Sequence, residues 1–139
     1  KGNDAPNRPT LVLLLDCNKV YVNGVKLSNS GFWTFRFVRC DGVDISKVYV
    51  EGHANWNNDG FDIESRNVTI TDCVVDTDDD AICFKSEDPD YVVENVTVKN
   101  CDLSSNCNFI KFGTAINVAD LCFVFGKNVF REFLIRLLV

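Results

Sequence analysis

The chain has a single histidine, His53, no Cys-x-x-Cys pair and no long apolar run. Each shortage removes a class of function. Closely spaced cysteines are the usual local signature of a zinc site, so no metal centre is expected, and nothing in the sequence asks for a cofactor. A membrane helix needs about 18 consecutive apolar residues. The stretch from Leu11 to Leu15 is far shorter and runs straight into Asp16. It is neither a bilayer span nor a secretory signal core, and no targeting segment or membrane partner is expected. Basic charge is scarce too. With 14 Lys and Arg against 20 Asp and Glu, the net charge of −6 argues against nucleic acid as a partner. A polyanionic substrate would have to find local basic residues.

What the chain does have is an internal repeat. Val20-Tyr21-Val22, Val43-Asp44-Ile45, Val68-Thr69-Ile70 and Val96-Thr97-Val98 share one pattern, their first valines 23, 25 and 28 residues apart. Between them lie Phe35-Arg36-Phe37, Phe61-Asp62-Ile63, Ile82-Cys83-Phe84 and Ile110-Lys111-Phe112, which alternate apolar and polar as half-buried strands do. Such a period indicates a solenoid, and short strands rich in Val, Ile, Thr and Phe without helical patterns between them indicate a parallel β-helix. Stacked turns set like strands about 4.8 Å apart and bury continuous columns of side chains, which accounts for Ile63, Phe84 and Phe112 recurring in phase. An antiparallel sandwich also fits the alternation and is the rival architecture on pattern alone. At 46% hydrophobic and 12% aromatic, the chain can bury a core as one folded unit, although a short solenoid has two ends to protect.

The seven cysteines are an odd number. Cys17 and Cys40 precede their valines by three residues, while Cys73 and Cys101 follow theirs by five, so all four read as small buried apolar side chains at repeat positions. A Cys101–Cys107 disulfide is conceivable. Asn67-Val68-Thr69 and Asn95-Val96-Thr97 fit the glycosylation pattern, but asparagine at both repeat positions is more simply a turn residue. The repeat is expected to fill residues 1–114. In the tail, 115–139, Val118, Leu121, Cys122 and Phe125 occur at helical spacing, as do Phe130, Phe133, Leu134, Leu137 and Leu138. Two readings stand: a helical cap over the solenoid end, or a segment foreign to the fold that pairs with another chain.

Two acidic clusters carry the chemistry. Asn57-Asn58-Asp59-Gly60 is followed by Asp78-Asp79-Asp80, with Asp79 twenty residues after Asp59, a spacing that can set the clusters on neighbouring rungs. Crowded carboxylates repel, and their pKa values separate until one holds a proton while another stays ionised. Glycosidic bond cleavage requires that division. Structural turns are the plainer alternative. Calcium held by Asp76, Asp78, Asp79 and Asp80 is another, although the loop lacks the glycine and distal glutamate of an EF-hand. Lys85 and Lys111 share the outward parity of Asp62 and Glu64, which suits either a sugar-acid site or a solvated outer face. His53 reads as a solvated polar residue in the loop before the first cluster.

From about Arg8 to Thr114 these motifs resemble glycoside hydrolase family 28, the polygalacturonases and rhamnogalacturonases. Asn57-Asn58-Asp59-Gly60-Phe61-Asp62 is similar to the family's Asn-Thr-Asp-Gly-Ile-Asp. Thr77-Asp78-Asp79-Asp80-Ala81-Ile82 is similar to its Thr-Gly-Asp-Asp-Cys-Ile, with Asp78 where glycine is common. Cys107-Asn108-Phe109-Ile110-Lys111-Phe112-Gly113 falls where the family often has Gly-His-Gly-Ile-Ser-Ile-Gly. The resemblance covers roughly the middle third of a family member. It implies an all-β fold, a right-handed parallel β-helix of the pectin-lyase-like kind, here with about four to five coils. It also implies inverting hydrolysis of an α-glycosidic bond in pectic polysaccharide by a secreted or periplasmic protein. Carried over by position, Asp79 would be the general acid and Asp59 and Asp80 would activate water; Asn57, Asp62 and Asn108, with Lys85 and Lys111 as the polar partners left for a sugar acid, are the candidate substrate-binding residues. The family's histidine position is Asn108, and its later Arg-Ile-Lys motif has no counterpart. The alternative is therefore a non-catalytic β-helix remnant that binds carbohydrate or self-associates through its ends or tail.

Overall fold

The computed structural model describes residues 7–113 together with the backbone of 118–124. The first coil contains β1 (Val12–Leu15), β2 (Asn18–Asn23) and β3 (Lys26–Ser28). The second contains β4 (Phe35–Ser46) and β5 (Tyr49–Gly52), and the third β6 (Phe61–Thr71) and β7 (Val74–Thr77). The fourth is β8 (Ile82–Phe84), β9 (Val93–Lys99) and β10 (Asp102–Ser105), and a fifth begins with β11 (Ile110–Phe112) and β12 (Val118–Val124). Every ladder among the described residues is parallel. That excludes the antiparallel sandwich and leaves the β-helix.

Three vertical columns of strands follow from the registers. Phe35, Phe61, Ile82 and Ile110 stack in one, and Val20, Val43, Val68 and Val96 in the next. The third, β3-β5-β7-β10, stacks Leu27, Val50, Val75 and Leu103. Side chains of like shape meet at each level. Phe37, Ile45, Phe61, Ile63, Ile70, Val75 and Phe84 are fully buried in the resulting core. Ile70→Ala is expected to cost about 2–5 kcal/mol in urea unfolding, because the fixed rungs above and below restrict collapse around the void. A loss well under about 1 kcal/mol would mean that the column repacks.

Cys40, Cys73 and Cys101 are buried, and Cys17 packs against the core, so these thiols serve as apolar fillers. Cys101 and Cys107 are both free thiols, and the conceivable bridge between them is not formed. Turns repeat as faithfully as strands do. Lys19, Gly42, Asn67 and Asn95, each just before a stacked valine, share left-handed backbone at φ 58°, 76°, 55° and 52°. Asparagine tolerates that region better than most side chains. The amides also form a ladder: Asn95 Nδ2 donates to Asn67 Oδ1 at 2.7 Å, and Asn67 Nδ2 donates to Asp41 Oδ1 at 2.6 Å.

The tail expectation is corrected in part. Residues 118–124 form a strand, not a helix, and pair in parallel with β9. Leu121-Cys122-Phe123 continue the column of Val96-Thr97-Val98, so the repeat runs past residue 114. Short apolar runs fit either period, and here the open edge of β9 supplies the partner that decides between them. The rest of the tail reading lies outside the described residues.

Candidate active site

The acidic loops sit immediately before the strands β6 and β8, and the strand register aligns them. Phe61 pairs with Ile82, which sets Asp59 level with Asp80 and Asn58 level with Asp79 one rung apart. Ile82 pairs with Ile110, which sets Asn108 level with Asp80 on the other side. Backbone bonds hold the loops together: Gly60 N–H donates to Asp80 O and Ala81 N–H to Asn108 O, both at 2.9 Å. Gly60 is required for this approach. A Cβ there would lie 2.4 Å from Val75 Cγ1 and 2.5 Å from Ala81 O, so any larger residue would pry the rungs apart.

Two carboxylate–ammonium groups result. Lys85 Nζ donates to Asp59 Oδ2 at 3.1 Å and to Asp62 Oδ1, and it lies 3.7 Å from the centre of the Trp33 ring. Lys111 Nζ donates to Asp80 Oδ2 at 2.8 Å, and Asn108 Nδ2 to Asp80 Oδ1 at 2.7 Å. Asp79 is half-buried beside them. Its Oδ1 accepts the Asp80 N–H at 2.9 Å, while Asn57 Nδ2 reaches its Oδ2 at 3.5 Å. The eight residues singled out from the sequence thus fall into two groups, Lys85 with Asp59 and Asp62, and Lys111 and Asn108 with Asp80, Asp79 and Asn57, on rungs joined by the Gly60–Asp80 backbone bond. Lys85 and Lys111 line a cleft of about 220 Å³ together with Trp33, Cys83, Ser86, Glu87 and Gly113.

Electrostatics follow from burial. Asp59 and Asp62 are almost wholly buried. Burial raises the Asp59 pKa, Lys85 opposes the rise, and Asp79 and Asp80 add to it. Asp62 is lifted well above the ordinary carboxyl value, by burial first and the Asp59 charge second, and its Oδ2 has no hydrogen-bond partner among the described residues. The lift thus falls on residues read from sequence as a water activator and a substrate binder. Burial alone would lower the Lys85 pKa, but Asp62 and Asp59 outweigh it and raise it. Lys111 is raised chiefly by its bond to Asp80.

Sequence reasoning passed over several residues that build the site. Asn58 is fully buried and brackets two coils, donating to Gly52 O and accepting the Asp79 N–H at 2.9 Å. Trp33 packs under two cations, Lys85 and Arg36. Glu64, also buried, accepts the N–H groups of Glu87 and Asp88 at 2.7 and 3.0 Å and anchors the loop beside the cleft. The neighbouring Asn at 57 and the outward parity of Glu64 were the available signals for two of these. Two alternatives are corrected. Asp76 and Asp78 engage His53, while Asp80 is bound by Lys111 and Asp79 accepts the Asp80 N–H, so the four side chains do not converge on one calcium. His53 is not simply solvated, for the same reason.

Parallel coils that stack aspartates on adjacent rungs, beside a cleft lined by Lys85, Lys111 and Trp33, define the class as a parallel β-helix protein with a clustered acidic site. Residues 1–106 match glycosyl hydrolases family 28, and the chain belongs to that family. Rhamnogalacturonase A of Emericella nidulans is 27% identical over 122 residues, covering 88% of this chain and 23% of that protein. A probable polygalacturonase of Arabidopsis thaliana is 26% identical over 135 residues, covering 78% of this chain and 30% of that protein. The crystal structure of a hyperthermoactive exopolygalacturonase from Thermotoga maritima superposes with a TM-score of 0.78 at 25% identity, over 88% of this chain and 30% of that one. The chain spans about a quarter of the length of the fungal relatives it matches.

Proposed function

We propose that these coils hydrolyse an α-glycosidic bond in pectic polysaccharide with inversion, in a secreted or periplasmic setting. Asp79 gives its carboxyl proton to the glycosidic oxygen as the bond from the anomeric carbon breaks. Asp59 and Asp80 activate the water that attacks that carbon from the opposite face, and one of the two carboxylates takes its proton. Asn57 orients Asp79, Asn108 and Lys111 fix Asp80, and Asp62 shares Lys85 with Asp59. The observation that supports this most is the register placing Asp59 level with Asp80 on adjacent rungs.

Charge refines the substrate. Among the described residues, Asp59 and Asp62 pair with Lys85 and Asp80 with Lys111, so both lysines are already engaged, and Asp79 adds a further carboxyl. A run of uronates would add anions to a site with acid in excess. A rhamnogalacturonan backbone, in which neutral sugars alternate with uronates, suits it better. Reducing ends should therefore appear faster from rhamnogalacturonan than from polygalacturonate, and proton NMR should show the β-anomer first. No release above that of heat-treated protein from either polymer would sink the hydrolase reading. Leu13 and Leu15 on β1, each about half exposed, favour a second reading as a binding or self-associating module. That reading expects polymer retention or oligomers without turnover.

A further inference from the structure

His53 makes its contacts at the base of the loop that carries Asp79 and Asp80. It follows β5, and the pairing of Gly52 with Thr77 sets it beside Asp78 on the next rung. Both ring nitrogens face carboxylates: Nδ1 lies 2.9 Å from Asp78 Oδ1 and Nε2 3.3 Å from Asp76 Oδ1. A neutral imidazole has one N–H and would turn a lone pair toward the second carboxylate. Only the imidazolium donates to both. Asp78 Oδ1 also accepts Asn106 Nδ2 at 2.9 Å, so this carboxylate ties the second, third and fourth coils together.

One residue further on, the loop is held by groups that do not titrate. Asp79 N–H donates to Asn58 Oδ1, while Asp79 O accepts the hydroxyls of Thr77 at 2.7 Å and Ser105 at 2.6 Å. His53 is thus a proton-dependent tether at the base of an otherwise neutral mooring. We propose that His53 is a positioning residue whose protonated form clamps Asp76 and Asp78 and so fixes the loop presenting Asp79 and Asp80. Its catalytic consequence rests on the hydrolase reading; the clamp itself does not. The charged groups bearing on His53 are Asp76 on β7 and Asp78 just beyond it. Glu51 on β5, level with Asp76, is occupied by Lys26 at 3.3 Å. The bond to Asp78 is the largest effect and raises the His53 pKa; burial comes next and opposes it, and the bond to Asp76 adds to the rise. A raised value means that the clamp is complete below the ordinary histidine range, about 6.5, and is lost as pH climbs through the raised value.

The test compares wild type, His53→Gln and Asp76→Asn by amide hydrogen exchange of residues 78–81 from acid to alkaline pH, corrected for intrinsic rates. Wild type should lose up to about fivefold in protection, a size suited to a partly exposed pair, with its midpoint above that of a free histidine. His53→Gln should show low protection with no such step, and Asp76→Asn should move the midpoint downward. Under the hydrolase reading, kcat of His53→Gln at acid pH should fall by a similar factor with KM unchanged. Wild-type and His53→Gln proteins with the same pH course would overturn the clamp, whether or not pectic polymers are cleaved. An exchange step that vanishes in His53→Gln, in a protein that cleaves no polymer, would uphold the clamp and reject the hydrolase.

Discussion

Asp79→Asn should reduce turnover of the preferred pectic polymer by about 10²- to 10⁴-fold, the usual contribution of a positioned general acid. The amide is the same size and keeps the backbone contacts of Asp79 to Asn58, Thr77 and Ser105, so the melting temperature should stay close to wild type. What it cannot do is deliver a proton to the departing oxygen. Substrate binding does not use that proton, so the loss should fall on kcat with KM little changed. A glycoside whose leaving group needs no protonation separates the acid role from simple placement. Asp79→Asn should retain most activity on it, and an equal loss on both substrates would remove Asp79 from the role of acid. The same substitution at Asp80 has a different expected signature. It leaves Lys111 without its carboxylate, so stability should fall along with activity.

Much of this arrangement was legible in the sequence because a solenoid makes vertical neighbours out of residues one period apart. The four segments that read Val-x-Val or Val-x-Ile and their aromatic counterparts stack residue for residue, and that register carries Asp59 to Asp80. The β3-β5-β7-β10 column was not legible. Each of its strands contributes one inward apolar residue between turns, too few to show a period. The strand at Val118–Val124 is hidden for a related reason, since its apolar spacing satisfies the helical template as well and only the edge of β9 chooses between them. Contacts within the site show the same division. Outward parity brought Asp62, Lys85 and Lys111 to one face. Which carboxylate each lysine would take depended on side-chain reach across rungs, and the role of Asn58 depended on a turn bringing Gly52 to its amide. Trp33 had no counterpart in the repeat to mark it.

Lys85→Met should have the largest effect on stability, about 3–5 kcal/mol at neutral pH, a large part of the roughly 5–15 kcal/mol that holds a domain together. The ammonium is mostly buried and is the shared partner of Asp59 and Asp62, themselves almost inaccessible. Methionine keeps the packing on Trp33 but leaves two carboxyls a few ångströms apart with no positive charge between them. Burial already raises both pKa values, with Lys85 working against that rise, so removing Lys85 should drive them higher. The sign of the pH dependence follows. A carboxyl whose folded pKa is raised supports the fold below its unfolded value, about 3.9, and that support disappears as pH rises through the folded value. Urea unfolding of Lys85→Met should therefore approach wild type in acid and diverge from it toward neutral pH. Adding Asp62→Asn should recover much of the deficit, because the amide removes one of the two uncompensated charges. A deficit independent of pH, or no recovery in the double variant, would mean that Lys85 acts through packing on Trp33 and that the acidic pair tolerates burial by itself.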